Sequence, residues 1–355
     1  MTGTMKSAQF YAPGDVRIEN VEIPKTPDGG VLLKINAALT CGTDLKQYRR
    51  GHPFVEEAKS RLGAQFKGIP FGHECAGTVV EVGEGAKNIQ VGDRIAVNYP
   101  AACGHCYYCK SGQPNLCENF TFIDGGAFAQ YIAIPKAVLE QCCFKIPEGI
   151  SFAAAALVEP VSCAVHGVEA SNIQTGDFVV INGAGPIGLA MVRDAYLKGA
   201  YVICCDMNQR RLEVAKNLGA HAIVNVDSID HVEAVRALTP DKRGCDVVIE
   251  ATGVIDVWEK APYMARKGGI VTLFGGVKKG ADFHIDPMLL HYSQLIIQGV
   301  FASTPKTNEI AFALIRNGEI REEDFISGHY KLDDAVEALE THNLGIKNAI
   351  ICNED

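Results

Sequence analysis

The stretch DFVVINGAGPIGLAMVRDAYLKGAYVICCDMNQRRLEVAKNLGA, from Asp177 to Ala220, reads as strand, tight turn, helix and second strand. Phe178 to Ile181 is an unbroken apolar run, the pattern of a strand buried on both faces of a parallel sheet. It runs into Gly183-Ala-Gly185-Pro186-Ile187-Gly188, which opens a helix ending at Lys198-Gly199. The second strand, YVICCD, ends at Asp206, 23 residues after Gly183. Such a glycine set means little alone. Set between a strand and a helix, with an acid closing the next strand, it reads as the turn of a dinucleotide-binding βαβ unit. The glycines let the backbone approach a pyrophosphate, and the helix N-terminus favours its charge. Asp206 can accept both hydroxyls of a ribose and would repel a 2′-phosphate, which favours NAD over NADP. Arg210 and Arg211 weigh the other way, because an arginine there can receive that phosphate.

Working outward, HAIVNV, CDVVIEATG and GGIVTLFGG read as further strands of a doubly wound sheet, with helical stretches between. LIIQGVFAS, Leu295 to Ser303, reads as the last strand. At a sheet edge its unpaired backbone would invite a second copy, so a homodimer or homotetramer is expected. The chain has 355 residues, long enough for two domains. Its 47% hydrophobic and 21% charged residues are those of a globular protein. A net charge of -9 argues against general nucleic-acid binding. No signal peptide is legible at the start. The most apolar region, Ile150 to Ala170, is broken by Glu159 and Pro160 and falls short of the ~20 residues that span a bilayer. No membrane association and a cytoplasmic location are expected.

There are thirteen cysteines, an odd number with no export signal, which argues against a disulfide framework. Cys75, Cys142, Cys143, Cys163, Cys204, Cys205 and Cys245 lie in apolar runs and read as core thiols. CGHCYYCKSGQPNLC differs. Its Cys103, Cys106, Cys109 and Cys117 share one loop with Gly, His, Lys, Ser, Gln, Pro and Asn. Four thiolates saturate tetrahedral zinc and leave no open position, which makes a structural site. An iron–sulfur cluster is the alternative for four cysteines. Zinc binding can contribute on the order of 10 kcal/mol to ordering such a loop. His105 is not needed as a ligand.

A second set is spread along the chain: Cys41, Thr43 and Asp44 in LTCGTDLKQY, His73 and Glu74 in GIPFGHECAG, and Glu159 in AALVEPVSCAVHG. Singly, each has an ordinary structural reading. Together, one Cys, one His and one or two carboxylates make an open zinc set with room for water or substrate. Such a site lowers the pKa of a bound hydroxyl, to roughly 7 for zinc-bound water. Thr43, two residues after Cys41, is placed to pass on the proton.

These motifs carry a resemblance. CGTD at Cys41 to Asp44, GHECAGTVVEVGEGA at Gly72 to Ala86, the four-cysteine loop, GAGPIG, and VEP followed by VHG resemble the zinc-containing medium-chain dehydrogenases and reductases, in the polyol and threonine dehydrogenase branch. The similarity covers essentially the whole chain. It implies an α/β protein: a GroES-like β-rich catalytic domain over residues 1–155 with 301–355, and a Rossmann NAD-binding domain over 156–300. It implies zinc ligands at Cys41, His73 and Glu74, with Glu159 ligating directly or through water. Cys103, Cys106, Cys109 and Cys117 would hold the structural zinc, Thr43 would carry the relay hydroxyl, and Asp206 would select NAD. Lys347, in GIKNAII, resembles a basic residue often found near the end of these chains; a surface lysine is the equal reading.

One departure stands out. Many relatives carry a histidine five residues after the zinc cysteine, where this chain has Lys46. The relay then ends at water or at the lysine amine, or Lys46 contacts substrate or cofactor phosphate. Between Asp44 and Lys67 lie six Lys/Arg (Lys46, Arg49, Arg50, Lys59, Arg61, Lys67) against three acids. This reads either as a solvated helix face or as a lid favouring an anionic substrate. Tyr48 and His52 in the same stretch could bind hydroxyls or pack. The expected reaction is reversible NAD-linked oxidation of a secondary alcohol (polyol, sugar alcohol or cyclitol) to a ketone. The alternatives are an L-threonine-like amino alcohol as substrate, a zinc-free reductase, a nucleic-acid-binding finger, or a non-catalytic NAD-binding protein of the same fold.

Overall fold

A computed structural model describes residues 1–353 except Asp124 and Ser228. The chain divides into two compact units, Met1–Glu159 with Phe312–Asp355, and Pro160–Ala311. The sequence placed the divisions at 155/156 and 300/301. The structure places both inside helices, Val158–Ala170 and Pro305–Arg316, which motif boundaries do not reveal.

The first unit is β-rich. Its larger sheet is built around the strand Val31–Leu39, eight of whose nine residues are buried. The strand Glu74–Val82 pairs antiparallel with it, bringing Leu39 opposite Glu74. The strand Lys347–Ile351 pairs antiparallel on the other side, bringing Ala349 opposite Leu39. The end of one strand, the start of the second and part of the C-terminal segment therefore meet at one place. Cys41 lies two residues beyond Leu39, His73 lies one before Glu74, and Lys347 lies two before Ala349. Beneath them Phe10, Ile35, Cys75, Phe128 and Ile350 form part of the core.

The second unit holds six parallel strands in the order Ala222–Asn225, Tyr201–Asp206, Phe178–Asn182, Cys245–Glu250, Ala265–Leu273 and Ile296–Gly299. Chain order thus reverses beside Phe178–Asn182, the switch point at which dinucleotides bind in such sheets. Val180, Ile203, Val248 and Val271 fill its core. The last strand lies at the sheet edge, which meets the condition set for pairing with a second copy. Among the described residues, no helix is long and apolar enough to cross a membrane.

Candidate metal and cofactor sites

The loop carrying the four-cysteine motif has little core of its own. Cys106 and Cys117 are buried against Ala102, with Cys103, Tyr108, Cys109 and Phe120 packed around them. All four thiols are free. Their sulfurs lie within 4.8 Å of one another. The separations are 3.5 Å for Cys106–Cys109, 3.9 Å for Cys106–Cys117 and 4.0 Å for Cys103–Cys109. A disulfide needs about 2.05 Å. Zinc–sulfur bonds of about 2.3 Å in a tetrahedron put the sulfurs about 3.8 Å apart, so the loop is already spaced for that ion. Backbone N–H groups of Cys109 and Glu118 pull the Cys106 thiol down to about 6. The amide of His105 leads the lowering at Cys103. Both shifts favour the thiolate a metal needs, while burial and the bond to Cys106 push the Cys109 thiol the other way, up to about 12, so the sulfur spacing carries the metal reading. His105 is exposed, with its Nδ1 2.8 Å from the Cys103 carbonyl, and takes no part in the sulfur cluster. Replacing Cys106 with Ser is expected to lose one zinc per chain and lower Tm by several degrees, read by elemental analysis and calorimetry. Unchanged metal content and Tm would remove the tetrad from the account.

The second set forms where the three strand ends meet. Ligand atoms of Cys41, His73 and Glu74 lie within 4.8 Å of one another. Cys41 caps the helix Gly42–Arg50, and its sulfur accepts the Thr43 N–H at 3.4 Å. Asp44 returns the contact, accepting the Cys41 N–H at 3.0 Å through one carboxylate oxygen. Its other oxygen lies 2.8 Å from His73 Nδ1. A carboxylate on Nδ1 turns Nε2 towards the metal position and makes it more basic. Burial opposes protonation of His73, but Asp44 and Cys41 outweigh it and raise its pKa well above the ordinary value. The same negative groups favour a metal cation at that ring. A thiolate, an imidazole and a carboxylate are donors that zinc accepts, with one position left open.

The glycine turn of the second unit fits a pyrophosphate. Gly183 has φ +107°, and a Cβ on Gly188 would lie 1.8 Å from the Gly183 carbonyl oxygen, so both positions need glycine. Gly185 is different. A Cβ there would meet nothing within 4 Å, so its bare backbone faces open space at the N-cap of the helix Pro186–Leu197. That is a cradle for a phosphate. Pro186 starts the helix, and Ile187 is half-buried behind it. Asp206 accepts the Ala184 N–H at 2.7 Å on one oxygen and the Asn208 N–H at 2.8 Å on the other. Each carboxylate oxygen keeps a free lone pair, and the two bonds aim the group at the turn. Arg211 is half-buried in the first turn of the next helix, its N–H on the Asn208 cap.

The alcohol dehydrogenase GroES-like domain family matches residues 27–148, and the zinc-binding dehydrogenase family matches residues 186–317. Sorbitol dehydrogenase of Bacillus subtilis is 32% identical over 343 residues, covering 95% of this chain and 93% of that protein. L-threonine 3-dehydrogenase of Pyrococcus abyssi is 33% identical over 359 residues, covering 99% and 98%. A zinc-binding dehydrogenase of Sinorhizobium meliloti, solved bound to NADP, superposes with a TM-score of 0.88 at 31% identity, covering 98% and 99%.

The chain belongs to the zinc-containing alcohol dehydrogenases. It is a GroES-like domain joined to a Rossmann domain, and a zinc-dependent enzyme with a nicotinamide dinucleotide as its second cofactor.

Several residues of the dehydrogenase's site stand where spacing could not put them. Lys347 is not on the surface. It is 1% exposed and its Nζ lies 2.8 and 2.6 Å from the two Glu74 carboxylate oxygens. A third bond, of 2.7 Å, reaches the Thr40 carbonyl. The surface reading of Lys347 is thereby corrected: a buried carboxylate needs a cation, and the C-terminal strand delivers one. Burial pushes the Glu74 carboxyl up, against the pull of Lys347. On Lys347 burial works downward, and Glu74 and Cys41 outweigh it. Glu159, in the first turn of Val158–Ala170, adds negative charge felt at Glu74 and Lys347 but is not in the close Cys41–His73–Glu74 group. Thr40 is braced further by His342, whose Nδ1 is 2.8 Å from its hydroxyl. The roles of Asp44 and His342 went unread; Asp44 at least had a signal, an acid three residues after a capping cysteine. Thr43 and Lys46 are exposed on the helix that Cys41 caps. Tyr48 is buried with its hydroxyl 3.1 Å from Glu340, and the His52 ring lies against Phe10 and Phe54, so both pack.

Proposed function

We propose that the enzyme oxidises a secondary alcohol of the polyol, sugar-alcohol or cyclitol class to a ketone, reversibly, with NAD. The observation that carries this reading is the open donor set of Cys41, His73 and Glu74 with Thr43 on the adjoining helical turn. The relatives support it, since sorbitol dehydrogenase is among them. Zinc bound there would polarise the hydroxyl and stabilise the alkoxide, and NAD would take the hydride. The protein's own part is positional. Cys41, His73 and Glu74 would hold the metal. Asp44 fixes the His73 ring and the Cys41 backbone together. Glu74 would be the third donor; Lys347, bonded to both its oxygens, balances its buried charge, and the fourth position is left to the alcohol. Thr43 offers the hydroxyl that receives the proton, and Lys46 stands exposed one helical turn on.

Asp206 supports NAD. Replacing it with Ala is expected to cut the ratio of kcat/KM for NAD over NADP by about tenfold to hundredfold, the worth of hydrogen bonds to a charged group. An unchanged ratio would take Asp206 out of the choice. The edge strand Ile296–Gly299 supports a homo-oligomer. Beside its unpaired backbone Met288, Tyr292, Ile296 and Phe301 are exposed apolar side chains that a second copy would cover.

The test is NADH formation by the zinc-loaded enzyme with sorbitol, xylitol, myo-inositol, 2,3-butanediol and L-threonine. Turnover led by a polyol or cyclitol is expected, and turnover led by 2,3-butanediol would move the substrate class to simple diols. Turnover confined to L-threonine would replace this reading with the amino-alcohol one.

A further inference from the structure

The helix Gly42–Arg50 does more than present Cys41. At about 100° per residue, Thr43, Lys46 and Arg50 fall within about 60° of one another on one stripe. The opposite side carries Asp44, Leu45 and Tyr48, all buried. Thr43, Lys46 and Arg50 are exposed. A rise of about 1.5 Å per residue puts Lys46 about 4.5 Å and Arg50 about 10 Å along the axis from Thr43. The stripe therefore starts at the relay hydroxyl and leads away from the metal set through two cations.

Among the described residues, Lys46, Arg49 and Arg50 make no ion pair and no side-chain hydrogen bond. Elsewhere exposed cations are commonly paired: Arg17 with Asp15, Lys260 with Asp256, Lys59 with Glu56. The one acid in the helix, Asp44, is engaged by Cys41 and His73. Like charges at i,i+3 and i,i+4, as in Lys46–Arg49 and Lys46–Arg50, oppose helix formation. The C-terminal helix dipole, about half a negative charge, offsets only part of three positive ones. An uncompensated cluster of this kind, in a chain of net charge -9, leaves a local positive field beside the reacting position.

We propose that Lys46 and Arg50 form an anion subsite of the alcohol, and that the substrate carries a tetrahedral oxyanion, as a polyol phosphate does, one to two helical turns from the carbinol carbon. The subsite rests on the alcohol-oxidation reading of the open metal set. A guanidinium and an ammonium on one helix face suit such a group, Arg by paired N–H bonds and Lys as a point charge. The other phosphate that could use them is the pyrophosphate of NAD, and the test separates the two.

Matched pairs, glucitol with glucitol 6-phosphate and xylitol with xylitol 5-phosphate, are compared by kcat/KM in the zinc-loaded enzyme. The phosphorylated member is expected to exceed the neutral one by about tenfold or more, and Arg50→Gln to reduce that ratio by about tenfold. Arg49→Gln, about 100° round the helix from Arg50, should leave the ratio within about twofold. Inorganic phosphate should inhibit competitively against the alcohol and not against NAD. Equal kcat/KM within a pair, or phosphate competing with NAD, would overturn the subsite while leaving alcohol oxidation in place. Silence with every alcohol, neutral and anionic, would overturn the underlying reading and the subsite with it.

Discussion

Cys41→Ala is expected to lower kcat by at least about a thousandfold while the chain still folds and binds NAD. Without the thiolate, the open set is left with His73 and a Glu74 already held on both oxygens by Lys347. Two donors, one of them engaged, do not hold zinc in a four-coordinate site. The alkoxide then loses a stabilisation worth several kcal/mol, and each ~1.4 kcal/mol is tenfold in rate. The fold should survive. The change removes a long cap contact of 3.4 Å, worth about 1 kcal/mol, and the thiol's hydrogen bond with His73, which Asp44 still holds. The nucleotide turn lies in the other unit. Steady-state NADH formation and a fluorescence titration with NADH read the two halves. Retained activity would mean that Cys41 is no ligand.

Lys347→Met should destabilise the protein by about 3–5 kcal/mol, the cost of leaving a buried charge without its partner. Glu74 is 0% exposed, and Lys347 supplies hydrogen bonds to both its oxygens. The Thr40 carbonyl loses its bond to the same amine. Adding Glu74→Gln removes the stranded charge, so the double variant should recover a good part of the loss. Urea unfolding of the three proteins measures this. A single variant within about 1 kcal/mol of the parent would show that the pair is not buried as described.

Much of this was legible because some chemistry is local in sequence. The strand-turn-helix around Gly183 to Gly188 announces itself through residues that only one backbone path satisfies, and the structure shows why: Gly188 has no room for a Cβ. The four cysteines lie in one loop, so spacing alone brings their sulfurs together. The open metal set was harder. Cys41 and His73 meet because Leu39 pairs with Glu74 across two antiparallel strands, and no local pattern encodes that register. There the family resemblance supplied what periodicity could not. His342 was illegible, and Lys347 was named by the resemblance without its role, for the same reason: their partners lie some 300 residues away in sequence. A lysine in a polar-looking GIKN stretch reads as surface until its partner is known. The ends of the two units were also hidden, since both fall inside continuous helices.

The central claim is that one of two separate zinc positions does the chemistry. It is tested most directly by titrating zinc out with a chelator while following activity and metal content together. Two zincs per chain are expected at the start. Activity should fall in proportion to loss of the first, and return when one equivalent is restored, with the thiolate-held zinc still bound. Full activity after that first zinc has gone, or a protein that never holds more than the four-cysteine ion, would contradict it.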